Sequence, residues 1–91
     1  MVVKRRGKLE IIADILTSIQ NKQGRIKPTH LLYKSNLSHA KLMEYVNILL
    51  EKGMIEERII KGRKMFFMKD AGYKFLKEFE RIKEFSDSFG L

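Results

Sequence analysis

The chain is expected to be mainly α with one small β-hairpin, in the order α-(β)-α-α-β-β-α, ending in a long C-terminal helix. Three observations predict this. Apolar residues recur at helical spacing over residues 8–20, a serine and a glycine punctuate a second such run at Ser38 and Gly53, and residues 54–68 are rich in β-branched and aromatic side chains around Lys61-Gly62-Arg63.

In the first helix, Leu9, Ile12, Ala13, Leu16 and Ile19, with Ile11 and Ile15 beside them, build a broad apolar stripe. Asn21-Lys22-Gln23-Gly24 is polar and ends in a residue that tolerates positive φ, so the helix should stop there. Arg25-Ile26-Lys27 leaves room only for a short strand or extended connection. Pro28 lacks an amide proton and fixes φ, both suited to a helix's first turn, and His30, Leu31, Leu32, Tyr33 and Lys34 should follow in helix two.

Ser35-Asn36-Leu37 reads as a turn in which Asn36 takes a left-handed conformation and Leu37 pins the turn to the core. Ser38 can accept from the free amides that open helix three. Leu42, Tyr45, Val46, Leu49 and Leu50 then share one side, leaving His39, Ala40, Met43, Glu44 and Asn47 largely on the other. After Gly53, two strands are expected over 54–60 and 64–68, joined by the three-residue loop Lys61-Gly62-Arg63. Alternation puts Ile55, Glu57 and Ile59 on one face; the charge on Glu57 predicts a bulge or an exposed edge.

Lys69-Asp70-Ala71-Gly72 turns the chain into the last helix, reaching about residue 89. Phe75, Phe79, Ile82 and Phe89 recur close to a heptad seam, with Tyr73, Leu76 and Phe85 widening it. At about 1.5 Å per residue such a helix runs to about 30 Å, longer than a small core can cover. A second copy is expected to cover it, with Phe75, Phe79, Ile82, Phe85 and Phe89 as the dimer interface. The chain thus divides into a basic arm over 1–7, a body over 8–69 and a dimerising helix over 70–91.

The 91 residues carry a net charge of +8, which favours a polyanionic partner, and the charge is unevenly placed. Residues 1–41 carry +7 and residues 58–69 carry +5, whereas residues 42–57 carry −3 and residues 70–91 carry −1. Cysteine is absent, which excludes disulfides, thiolate metal sites and cysteine nucleophiles and fits a reducing compartment. Neither a signal-peptide pattern nor a membrane-spanning run is present, so a soluble cytoplasmic protein is expected.

Element order and charge together describe a winged helix-turn-helix, with duplex DNA as the partner. The amino-terminal residues of helix three would reach base edges or phosphates through Ser38, His39, Lys41 and Asn47, with Lys34 at the end of the preceding helix. Glu44 would be repelled by phosphate and fits this face only as an acceptor from a cytosine amino group. The hairpin supplies Arg58, Lys61, Arg63 and Lys64 for a minor groove or the sugar-phosphate backbone, and the arm supplies Lys4, Arg5 and Arg6. The bland alternatives are a solvated helix face and a hairpin whose lysines guard against edge pairing.

Catalytic and metal sites are not expected. The two histidines, His30 and His39, have no third ligand that the sequence identifies, and Glu56 and Glu57 point to opposite faces of a strand. No nucleophile, phosphate-binding glycine loop or cofactor motif is evident.

Leu37-Ser38-His39-Ala40-Lys41, Tyr45-Val46, Leu49, Glu51-Lys52-Gly53-Met54-Ile55, Gly62-Arg63-Lys64 and Gly72 resemble an archaeal winged-helix family, and the likeness extends to residues 9–16. Its members are small DNA-binding proteins whose C-terminal helix forms an antiparallel dimeric coiled coil. The resemblance implies a homodimer that binds duplex DNA as a transcription regulator or nucleoid-associated protein, with helix three in the major groove and the hairpin as wing. One departure stands out. Where many such proteins place a capping Thr three residues before the glycine, this chain has Lys69, so Asp70 is expected to cap the last helix. The alternative is a protein-interaction module of the same fold in a transcription or replication assembly. Operator sequence, effector and direction of regulation are not written in the residues.

Overall fold

The computed structural model describes residues 6–90, so Lys4 and Arg5 of the arm lie outside the described residues. The elements run α1 (Lys8–Gln20), β1 (Arg25–Ile26), α2 (Pro28–Ser35), α3 (His39–Glu51), β2 (Ile55–Ile60), β3 (Arg63–Met68) and α4 (Asp70–Ser88). This is the expected order, with the bracketed strand present.

Helix α1 begins where the Gly7 amide donates to Glu10 Oε1 at 3.3 Å and ends where the Gly24 amide donates to the Ile19 carbonyl at 3.0 Å. Gln23 and Gly24 both take positive φ, 63° and 86°, which reverses the chain into β1. Between these ends Ile11, Ile12, Ala13, Ile15, Leu16 and Ile19 are buried, while Leu9, expected on the stripe, is 57% exposed at its outer edge. Leu31 of α2, Leu42, Val46 and Leu49 of α3, and Ile26, Ile55 and Phe66 of the sheet close the core. Burying each such side chain contributes about 1.5–3 kcal/mol.

The turn between α2 and α3 is built locally. Asn36 takes φ 58° and ψ 31°, and the buried Ser35 hydroxyl donates to the Leu32 carbonyl while accepting from the Leu37 amide at 3.2 Å. Ser38 then caps α3, its Oγ accepting from the Lys41 amide at 3.2 Å. Met43 departs from the expected outer face: it is half-buried against the core. It lies three residues before Val46, close enough on the helix surface to share the edge of the same stripe.

The sheet is antiparallel with order β1-β3-β2. Ile60 pairs with Arg63, so the hairpin loop has two residues, Lys61 and Gly62, rather than three. Both take positive φ, 52° and 78°, which matches the twist of the flanking strands in a two-residue turn and brings Arg63 into the ladder. No bulge forms, since pairing is continuous from Ile55↔Met68 to Ile60↔Arg63. The charge on Glu57 is accommodated by the edge position of β2 and by Lys64, whose Nζ lies 2.9 Å from Glu57 Oε1. Only Ile55 of β2 is buried, and Glu57 to Ile60 are all exposed. The hairpin leaves the body as it extends.

Helix α4 starts one residue differently from expectation: Lys69 holds the cap position without a side-chain bond, and Asp70 is the first helical residue. The start is fixed by backbone instead. The Lys69 amide donates to the Met54 carbonyl at 3.0 Å, and Gly72 sits so close that a Cβ there would lie 2.5 Å from the same oxygen. Phe75 and Leu76 pack, half-buried, on the core of their own chain, so Phe75 is not a freely exposed part of the seam. Phe79 stacks on Phe75 with ring centroids 6.0 Å apart. Beyond it, Ile82, Phe85 and Phe89 are 68%, 66% and 65% exposed.

Candidate nucleic-acid interface

Two structures on the surface hold the residues expected to meet DNA. The first is the start of α3, where Ser38, His39, Lys41 and, further along, Asn47 are all exposed. The cap leaves the Ser38 hydroxyl hydrogen free to donate outward, because its oxygen serves as acceptor to Lys41. Lys41 reaches Glu44 at 3.3 Å and lies 5.9 Å from the centre of the Tyr45 ring. Glu44, incompatible with phosphate on its own, therefore holds a cation beside it. Exposed pairs of this kind contribute about 0–1 kcal/mol, so phosphate can take Lys41 over at little cost. Lys34 is exposed at the end of α2 and has no ion pair among the described residues.

The second is the hairpin. Arg58 pairs with Glu56 and lies over the Phe67 ring at 4.5 Å, and Lys64 pairs with Glu57. Lys61 and Arg63, at the tip, are exposed and have no ion pair among the described residues. The tip thus presents two free cations in front of two weakly held ones.

Arg6, expected in the basic arm, is folded back onto the body. Its guanidinium contacts Asp14 Oδ2 at 2.9 Å and donates to the Ser35 carbonyl at 3.2 Å, joining α1 to the end of α2. Its side chain has a structural use at the turn that precedes α3.

One basic cluster escaped the residue-by-residue reading. Lys22, Arg25, Lys27 and His30 line a shallow groove with Ile26 and Met65, and Lys27 and Met65 also line a neighbouring groove with Ile60, Lys61, Arg63 and Lys64. Neither groove is lined by a carboxylate. The His30 pKa is lowered from its usual value by desolvation and then by Lys22, Lys34 and Lys27, so the ring is neutral near pH 7 and becomes a further cation on acidification. A signal was present in the sequence: no acid occurs between Asp14 and Glu44. Which of those cations lie together is decided by the pairing of β1 with β3.

Among the described residues no group of three or more His, Cys, Asp or Glu side chains could hold a metal ion, and no helix is long and apolar enough to cross a membrane.

The architecture has solved counterparts. Sso10a-2, a DNA-binding protein from Sulfolobus solfataricus, superposes with a TM-score of 0.78 at 19% identity, over 92% of this chain and 85% of that one. F93 from STIV, a winged-helix DNA-binding protein, gives 0.75 at 15% identity over 88% and 92%. TubR, solved bound to 24 bp of tubC from Bacillus thuringiensis serovar israelensis pBtoxis, gives 0.65 at 19% identity over 86% and 98%. At these identities the likeness speaks for the fold. No curated protein matches the sequence. The family model described as winged helix-turn-helix, however, matches residues 5–87, nearly the whole chain. With α2, the Asn36 turn, α3 and the hairpin in that order, this chain belongs to the winged helix-turn-helix family.

Proposed function

We propose that the protein is a homodimeric double-stranded DNA-binding protein acting as a transcription regulator, with α3 in the major groove and the hairpin wing on the backbone or in the minor groove. The observation that carries this reading is the pairing of an exposed, Ser38-capped helix start with a projecting hairpin that ends in the free cations Lys61 and Arg63. Helix α3 supplies side chains and free amides for base edges and phosphates, and the wing supplies charge without a sequence preference. It is a binding protein and not an enzyme on this reading. The DNA-binding descriptions of Sso10a-2 and F93, and the duplex bound to TubR, support the choice of partner.

The dimer rests on the far half of α4. Ile82, Phe85 and Phe89 are each about two-thirds exposed on a helix whose first half is already packed. A second copy of the same helix is the occupant we propose, and a dimer would present two α3 helices for half-sites spaced by multiples of about 34 Å.

Titration of a labelled duplex at several salt concentrations tests the reading: binding that weakens steeply with salt is expected, and no binding at low salt overturns it. Arg63→Ala with Lys64→Ala should weaken binding without lowering the melting temperature. Sedimentation at tens of micromolar should give a dimer; a strict monomer would transfer the α4 face to a heterologous partner and favour an interaction module. Selection from a random duplex pool separates a regulator, which enriches a symmetric motif, from a nucleoid protein, which enriches none.

A further inference from the structure

Lys22, Arg25, Lys27 and His30 come from three different segments: the turn after α1, strand β1 and the start of α2. They meet because β1 pairs with β3, Arg25 opposite Phe67 and Ile26 opposite Phe66, which sets them beside the base of the hairpin. The pleat puts Arg25 on the same face as Phe67, Met65 and Arg63. The carboxylate of Glu56, opposite Phe67, is held by Arg58. Cations therefore continue from the tip of the wing, through Lys27, to the turn after α1.

We propose that this strip is a second backbone-gripping surface, taking the sugar-phosphate of the duplex on the far side of the wing from α3. The proposal rests on the DNA-binding reading above and extends its footprint. Length and shape point to a polymer. From Arg63 to the Arg25 partner Phe67 is four residues of strand, about 14 Å at about 3.4 Å per residue. One DNA strand rises about 3.4 Å per phosphate along the helix axis and its backbone path is longer still, so a strip of this length spans more than one phosphate. A small anion could not touch both ends. The grooves are open and shallow, and one continues into the other through Lys27 and Met65, as a line of charge requires.

The experiment compares the full chain with Lys22→Gln/Arg25→Gln/Lys27→Gln on one labelled duplex, by salt titration and by hydroxyl-radical protection. Each lost phosphate contact should make the log–log salt dependence shallower by about 0.9, so the triple variant should lose about 2–3 units of slope. Protection next to the wing contact should also disappear. Lys22→Gln alone lies in a turn outside every helix and strand, so it tests the strip without disturbing β1; a slope shallower by about 0.9 is expected. Variants that still bind with the slope and footprint of the unaltered chain overturn the strip and leave the DNA-binding reading intact. An unaltered chain that fails to bind at low salt overturns both.

Discussion

Helices α1 and α4 are both amphipathic, yet they are used in opposite ways. Helix α1, with 13 residues, buries Ile11, Ile12, Ala13, Ile15, Leu16 and Ile19, whereas α4, with 19, buries only Gly72. The shorter helix is spent on the core. The longer one is docked by its first turn and by Phe75 and Leu76, and its remaining apolar residues, Ile82, Phe85 and Phe89, are left facing outward. An apolar stripe in a sequence therefore says that something will cover it, and the size of the local core decides whether that cover comes from the same chain.

The contrast is tested most severely by Leu16→Ala, which opens a cavity at a side chain with no exposed surface and should cost about 2–5 kcal/mol in urea unfolding. That is a large part of a typical domain's stability. Gly72→Ala should cost about 1–3 kcal/mol, because its Cβ has to displace the Met54 carbonyl; an unchanged midpoint would mean that α4 is held by its aromatic residues alone. Phe85→Glu should change the stability of the dilute chain by no more than about 0.5 kcal/mol while removing the concentration dependence of its melting temperature. If it matched Leu16→Ala in dilute solution, the distinction between the helices would collapse. Least of all, Arg81→Ala breaks only the exposed pair with Glu78 at 3.3 Å and should shift stability by at most about 0.5 kcal/mol.

What was legible in the residues follows the range of the interactions involved. Pro28, Asn36, Ser38 and Gly53 act within a turn of their own position, and each stands where the local chemistry placed it, at a helix start, a left-handed turn, a cap and a helix end. The α1 stripe was equally plain. The rest is decided by distant segments. The two-residue loop depends on the Ile60↔Arg63 register, which no local pattern specifies. Glu57 meets the exposed edge rather than the bulge because β2 lies at the side of the sheet, and Lys69 is anchored at the helix start by donating its amide to the distant Met54 carbonyl. Arg6 was read only as part of a basic arm because its partners, Asp14 and the Ser35 carbonyl, are visible only after folding. The cluster of Lys22, Arg25, Lys27 and His30 was missed for the same reason: it is assembled by β1 joining β3, a pairing across the whole body.

The hairpin tip separates two selective pressures at a single residue. Lys61 sits at φ 52°, a conformation that asparagine or glycine adopts more readily than lysine. Drift that improved folding alone would replace it, at the point of the wing farthest from the core. Its retention in related sequences would be a record of binding, and its replacement by asparagine or glycine would identify lineages in which the wing no longer has to hold a polyanion.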